Sequence, residues 1–436
     1  MNRIYLLFFL MVNTIFAQFS IQGHFKDEAK NIQNVVLYTF KNGKPKYISY
    51  TQVKDKSFTF DSTNFETGAY RILYHNGTNG FIDFIFNQED IHFYVDSNIG
   101  LKSLEYKKSS ENQLLQSYEY NLYYMQKKLD SVQISYLKKP TRKTLKKYEE
   151  IQTKINGAQH YFEQLGKNKY ALNFIKSSKS FNAKTPFKDT EMYLNSLQNH
   201  YFDYVDFNNP KLFNATFLRN KVTDFVFLLQ NSSDRQQQNI LYQNAIELVF
   251  QKIKNDKVKE NILESLLRES MVREELVSVS QLKKIYETLP ENLKNNQLLK
   301  EVNNTSKVML GAKAANFKIS ESLALHDIES QNILLIFWSS TCGHCTNELP
   351  KVYDFLKEKP NLKVVTIGIE YEKDLQQWKN QIKFFPEWNH TISLGKWKSK
   401  TAVAYNIYET PSYFILDQHK KIIAKPQSLE LLKEAF

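Results

Sequence analysis

Only two of the 436 residues are cysteine, and both lie in one short stretch, Phe337-Trp338-Ser339-Ser340-Thr341-Cys342-Gly343-His344-Cys345. That scarcity excludes several chemistries. A zinc site needs two further ligands, and there is no second cysteine pair to supply them. Haem attachment needs histidine directly after the second cysteine, where Thr346 stands. A structural staple across two residues closes too small a loop to constrain the unfolded chain, and at a helix start it is strained. What remains is a dithiol able to cycle to a disulfide.

Long apolar runs are missing as well. After the short apolar stretch at the start of the chain no segment reaches the roughly 18 consecutive apolar residues that a spanning helix needs. Met1 to Ala17 has a basic start at Arg3, an apolar core from Ile4 to Val12 and an exit at Ala17. This is the layout of a secretory signal peptide cleaved after Ala17. The mature chain is therefore expected to be exported or periplasmic, without stable membrane insertion, in a compartment where disulfides form.

Positive charge is plentiful, with a net charge of +12, but it is unevenly spread. Basic residues exceed acidic ones by 1 over residues 1–102, by 8 over 103–306 and by 3 over 307–436. The densest group is Lys138, Lys139, Arg142, Lys143, Lys146 and Lys147, flanking Pro140. No glycine loop or aromatic platform accompanies it, so it reads as the solvated tip of a helical hairpin and not as a nucleic-acid site.

Periodicity divides the chain into a signal peptide (1–17) and three domains. Residues 18–102 alternate with period two, as in Val35 to Phe40, Ser57 to Phe60 and Ile91 to Val95, with turns expected at Asn42-Gly43, Asn76-Gly77 and Asn79-Gly80. They predict a small antiparallel β domain of the sandwich or barrel kind. Residues 103–306 change to helical spacing, with apolar positions at Leu115, Tyr118, Leu122, Met125, Leu129, Val132 and Tyr136, a break at Pro140 and a cap at Thr141. A second stripe through Leu145, Tyr148, Ile155, Phe162 and Leu165 completes an antiparallel hairpin, and the helical pattern continues to a boundary near Asn303 to Lys307. The β region holds no acid pair, histidine cluster or phosphate loop, so binding or spacing is its expected work, and the helical region offers no catalytic constellation.

In the last domain, 307–436, strands return. Ile333 to Trp338, a helix from Cys342 to about Lys359, and Leu362 to Ile369 make a βαβ unit. Cys342 is expected at the helix N-terminus, where unpaired amides favour its thiolate, with Cys345 one turn on and less exposed. Cys342 would attack a substrate sulfur, and Cys345 would resolve the mixed disulfide. His344 is expected to stabilise the thiolate further and to raise the reduction potential relative to a proline at that position.

Several motifs in order give this domain a resemblance to the thioredoxin superfamily, and within it to the TlpA/ResA-like periplasmic thiol-disulfide proteins. They are Phe337-Trp338, Cys342-Gly343-His344-Cys345, Glu348-Leu349-Pro350 and Thr410-Pro411, with Gly311 to Phe317 similar to the family's opening segment except for Ala315 in place of proline. The resemblance implies a multidomain protein ending in an α/β thioredoxin fold, with Cys342 and Cys345 catalytic and Trp338, Gly343, His344, Pro350, Thr410 and Pro411 in support. Pro350 resembles the helix-kinking proline. Pro411 resembles the cis-proline beside which a substrate strand pairs with the backbone at Thr410. The stretch between Cys342 and Pro411, with a helix at Glu372 to Lys383 and a strand at Thr391 to Leu394, looks like the insertion of TlpA-type domains. More loosely, the upstream regions resemble the amino-terminal domains that precede such modules in Gram-negative periplasmic proteins.

Two positions depart from the family pattern. Thr341 stands where tryptophan is usual, and Ile336 where thioredoxin carries a buried acid, a function for which Glu370 is the substitute suggested by the sequence. The Gly-His filling is like that of disulfide isomerases, so reduction and isomerisation both stay open. The implied partners are proteins with disulfides and a membrane thiol electron donor; no cofactor, metal or nucleic acid is called for. The alternative is an envelope binding protein that uses the thioredoxin fold as scaffold. A peroxidase is disfavoured by Ser339, three residues before Cys342, where peroxiredoxins need threonine.

Overall fold

The computed structural model describes residues 19–436 apart from 62–64 and 360. The expected signal peptide, Met1 to Ala17, lies outside the described residues. The chain gathers into two compact units, one running to Phe225 with Lys252–Asn261 added, the other comprising Val226–Gln251 and Ile262–Phe436. The helical stretch is shared between them.

The first unit opens with eight strands, β1 (Ser20–Phe25), β2 (Asn34–Lys41), β3 (Lys44–Gln52), β4 (Ser57–Asp61), β5 (Gly68–Asn76), β6 (Thr78–Phe86), β7 (Ile91–Val95) and β8 (Glu105–Lys108). They form two sheets in the orders β4-β1-β7-β8 and β3-β2-β5-β6. The period-two pattern has its expected cause: Ile91, Phe93 and Val95 of β7 turn inward with Phe25, Phe58, Tyr74 and Phe86, while the residues between them face out. Pairing is antiparallel except between β1 and β7, which run parallel.

Asn42 and Gly43 close the β2–β3 hairpin with φ angles of 51° and 70°, the left-handed pair that such a turn requires. Asn79-Gly80 is different. It lies inside β6, paired with β5, and is no turn. A Cβ on Gly80 would fall 2.2 Å from Cζ of Tyr74, so glycine is there to let that ring lie across the strand.

Helices α1 (Ser110–Lys138) and α2 (Arg142–Leu165) form the expected hairpin. Leu129 and Val132 pack on Tyr148 and Ile155 at one end, and the Tyr118 hydroxyl meets Gln159 at the other, 3.0 Å away. Thr141 caps α2 by accepting the Thr144 N–H at 3.1 Å, and the six basic residues at the tip are exposed. Four shorter helices follow, α3 (Leu172–Ser177), α4 (Thr190–Asn199), α5 (Pro210–Phe213) and α6 (Phe217–Phe227). Then come α7 (Arg235–Lys252), α8 (Asp256–Val272), α9 (Leu276–Glu287) and α10 (Asn296–Ser306).

The second unit ends in a five-stranded sheet of β9 (Asn332–Trp338), β10 (Leu362–Glu370), β11 (Asn389–Leu394), β12 (Ser412–Asp417) and β13 (Ile422–Ala424), ordered β11-β10-β9-β12-β13. Its helices are α11 (Gly343–Leu356), α12 (Leu375–Gln381), α13 (Lys400–Ala404) and α14 (Leu429–Glu434). The first three strands of the sheet are parallel, and β12 runs antiparallel to β9. The helix expected from Glu372 to Lys383 is α-helical only at its centre and continues as 3-10 turns on both sides.

The apolar run of β9 is continuous because both of its faces are covered. Ile333, Leu335 and Phe337 enter one core with Val365, Ile367 and Phe414. Leu334, Ile336 and Trp338 enter the other, with Cys345, Leu349, Trp378 and Tyr413. At about 1.5–3 kcal/mol for each large side chain buried, these two layers fix the height and direction of the chain as it leaves β9. The sheet is also tied to the helices of its own unit. Glu274, held at φ 57°, accepts the Leu310 N–H at 3.0 Å and pairs with Lys425 just beyond β13.

Candidate active site

Both cysteines emerge where β9 ends. Cys342 is the N-cap of α11, and its Sγ accepts the N–H of Cys345 at 3.2 Å, so one of the unpaired amides of the first turn is spent on sulfur. Cys342 is partly exposed, Cys345 fully buried, and both are free thiols. Partial burial pushes the Cys342 thiol up, but the Cys345 thiol and N–H bonded to its sulfur outweigh this and hold it below the ordinary value. Burial, and then its bond to Cys342, push Cys345 up to about 12. The exposed sulfur is thus the better thiolate and the buried one the better proton holder.

The Cys342 thiol also donates to the Thr410 carbonyl oxygen, 3.5 Å away. Thr410-Pro411 is a cis peptide leading into β12, whose register sets Ser412 against Phe337 and Tyr413 against Ile336. Antiparallel pairing with β9 is therefore what returns residue 410 to the dithiol, 68 residues on from Cys342.

The supporting residues fall into distinct places. Trp338 is buried in the core that holds Cys345, forming the floor and no outer surface. Gly343 and His344 are exposed on the first turn of α11. Nothing lies within 4 Å of a Cβ built on Gly343, so no close approach demands glycine there. Pro350 sits inside α11 on its outer side, where it has no N–H to return to Thr346. His344 turns its Nε2 toward Glu348, 3.1 Å from Oε2. The other oxygen of that carboxylate accepts the Tyr413 hydroxyl at 2.6 Å. Burial first, then the Glu348 bond, push the Tyr413 phenol well above its ordinary range. A chain of polar groups therefore runs from the solvent-exposed His344 through Glu348 to Tyr413, in the core beside Cys345.

Ile336 packs in that same core, as its place six residues before Cys342 requires. Glu370, the suggested substitute acid, is completely buried at the end of β10. Its oxygens accept the Ser339 hydroxyl at 3.0 Å and the Ser340 N–H, and face the Lys396 ammonium at 3.4 Å. The ammonium donates in turn to Ser339 Oγ at 2.6 Å and Thr341 Oγ1 at 3.1 Å. From α12, Gln377 donates to the Ser340 carbonyl at 2.8 Å. The turn that delivers Cys342 is thus pinned from beneath.

Sequence reasoning named Cys342, Cys345, Thr410 and Pro411, and the fold brings all four together. It missed Lys396 and the role of Tyr413. Lys396 is 55 residues from Thr341 in the chain, in a loop with no motif. The one signal was Thr341 itself, a hydroxyl where an aromatic ring is usual, which asks for a polar neighbour.

Residues 310–425 match the AhpC/TSA family. The thiol-disulfide oxidoreductase ResA of Bacillus cereus is 22% identical over 123 residues, which cover 27% of this chain and 70% of that protein. A solved thiol-disulfide oxidoreductase from Bacteroides fragilis is 24% identical, with 28% of this chain and 99% of that one covered and a TM-score of 0.25. A thioredoxin-like protein from Bacteroides caccae is 17% identical, with 59% and 96% covered and a TM-score of 0.30.

Proposed function

Residues 310–425 are a thioredoxin-like domain of the AhpC/TSA family, homologous to ResA-type thiol-disulfide oxidoreductases, and on that premise we propose that the chain reduces or isomerises disulfides in other proteins through Cys342 and Cys345. The observation that carries this reading is the division of labour between the two sulfurs. Cys342 lies at the helix N-cap with an amide on its sulfur and faces the Thr410 carbonyl, while Cys345 waits behind it, buried and protonated.

In the reducing direction the Cys342 thiolate attacks one sulfur of a substrate disulfide. One substrate thiolate leaves, and a mixed disulfide forms. Cys345 then attacks Cys342 Sγ: the Cys342–Cys345 bond forms, the bond from Cys342 to the substrate breaks, and the proton lost by Cys345 passes through solvent to the departing substrate thiolate. Two electrons pass to the substrate, and Cys342 and Cys345 become a disulfide. A substrate segment extended past the cis-proline would pair with the backbone at Thr410, which keeps the attacked sulfur in line with Cys342. Regeneration calls for a dithiol reductant, which for an exported chain would be a membrane thiol donor. An exported or periplasmic location fits the sequence of Met1 to Ala17, with its basic start and apolar core.

Insulin reduction by the native protein and by Cys342→Ser tests the proposal. Turnover in the first and none in the second is expected. An inert native protein with an accessible dithiol would instead favour the scaffold reading.

A further inference from the structure

Beneath the dithiol lies a buried ion pair that the exchange chemistry does not itself require. The Lys396 side chain is 13% exposed and that of Glu370 is fully enclosed. Burying two charges is costly unless each is richly bonded, so such a pair is weak evidence for stability and better evidence for a geometry that the site needs. Here the bonding converges on three consecutive residues. Ser339 is held by both partners, Ser340 by Glu370 and Thr341 by Lys396, and the next residue is Cys342. The Ser339 and Thr341 hydroxyls also lie 3.0 Å apart, and the Cys342 N–H donates to the Ser339 carbonyl at 3.1 Å. Lys396 itself stands at φ 52°, in the left-handed region, directly after Gly395, whose N–H donates to the Glu370 carbonyl at 2.8 Å. Its loop is thus anchored to the strand that supplies its counter-ion.

We propose that Lys396 is a positioning residue for the nucleophile, fixing the Ser339–Thr341 turn so that Cys342 Sγ points at the Cys345 amide and the Thr410 carbonyl. It never touches the sulfur. It acts through two hydroxyls, and Thr341 is the link that replaces the bulk of an aromatic ring at that position. Among the described residues, the titratable and charged groups around this turn include Cys345 from α11, Glu370 from β10, Lys396 from the loop after β11, and Tyr371, whose ring lies 5.8 Å from the ammonium; the neutral Gln377 of α12 holds the Ser340 carbonyl. Without Lys396 the hydroxyls lose their common donor, the turn relaxes, and the thiolate loses part of its alignment with the Cys345 N–H.

The proposal rests on Cys342 being the attacking thiol, so the test reads that thiol without turnover, and insulin reduction by the native chain stays a separate control. The pH dependence of iodoacetamide alkylation of Cys342 is measured in the reduced full-length protein. The variants are Lys396→Met, Lys396→Arg, the double variant Lys396→Met with Glu370→Leu, and Thr341→Val. Lys396→Met is expected to move the midpoint upward and slow alkylation at neutral pH about threefold to tenfold, with partial recovery in Lys396→Arg. The double variant removes the stranded carboxylate but also takes the acceptor from the Ser339 hydroxyl and the Ser340 N–H, and it is expected to keep the raised midpoint. Thr341→Val retains the ion pair, folds whatever the charge balance, and shifts the midpoint in the same direction. A native midpoint in Thr341→Val or in the double variant would overturn the proposal, leaving Lys396 as a counter-ion alone.

Discussion

The Tyr413 hydroxyl donates to Glu348 at 2.6 Å and so joins the strand after the cis-proline to the helix that carries both cysteines. The phenol is buried, and the carboxylate side chain is only 13% exposed. Water therefore cannot easily replace the bond.

Tyr413→Phe is expected to lower stability by about 1 to 3 kcal/mol, because a nearly enclosed carboxylate loses a charge-assisted partner while the ring volume is kept. Chemical denaturation of the reduced protein measures this. An unchanged transition would mean that His344 alone satisfies Glu348.

The two thiols should titrate far apart. Cys342 is held below the ordinary thiol value and Cys345 pushed up to about 12, so alkylation in mildly alkaline solution should label Cys342 and spare Cys345. The sign for stability follows from Cys345. Its folded pKa lies above that of the unfolded chain, so its contribution is complete below the ordinary thiol value of about 8.5 and is lost as pH rises from there toward 12. Denaturation of the reduced protein between these limits should show the decline, and Cys345→Ala should remove it.

His344→Pro should lower the reduction potential of the pair, by about 30 mV if the change amounts to about 1.4 kcal/mol. Two causes share this sign. Proline removes the imidazole, and it also removes the residue 344 N–H that helps to hold the Cys342 thiolate. His344→Ala keeps the N–H and separates the two. Glutathione equilibration gives the values, and a potential in His344→Pro no lower than the native one would rule both out.

Gly80→Ala should destabilise the first unit by about 1 to 3 kcal/mol, because the new methyl group meets the Tyr74 ring and not open solvent. Tyr74→Ala in the same chain should recover part of the loss. A site that behaved as a turn would tolerate the methyl.

The Gly80 case marks a general limit of reading this chain. Asn-Gly at 79–80 carries the same local signal as at 42–43, and what separates them is a ring six residues upstream, brought opposite by strand pairing. Where a property depends on near neighbours it was legible: the run Ile333 to Trp338, the Thr141 cap and the placing of Cys342 at a helix start all came from spacing. Thr410-Pro411 was legible only through a motif, since no periodicity links it to the cysteines. The parallel β1–β7 pair and the Lys396 anchor were not legible at all. Each joins segments far apart in the chain through hydrogen bonds that any polar residue or any backbone can make, and such bonds leave no pattern in one sequence.

Glu274 gives the sheet a dependence that its active site does not reveal. One carboxylate on the segment between α8 and α9 serves both the Leu310 amide and the Lys425 ammonium, at opposite ends of the match to the AhpC/TSA family. A fragment beginning at residue 307 would leave both donors behind without their acceptor. Grafting a foreign sheet in its place would instead strand the carboxylate. Moved into another protein, the module therefore keeps this bridge only where an acid stands as Glu274 does, facing the residue 310 amide and the Lys425 ammonium.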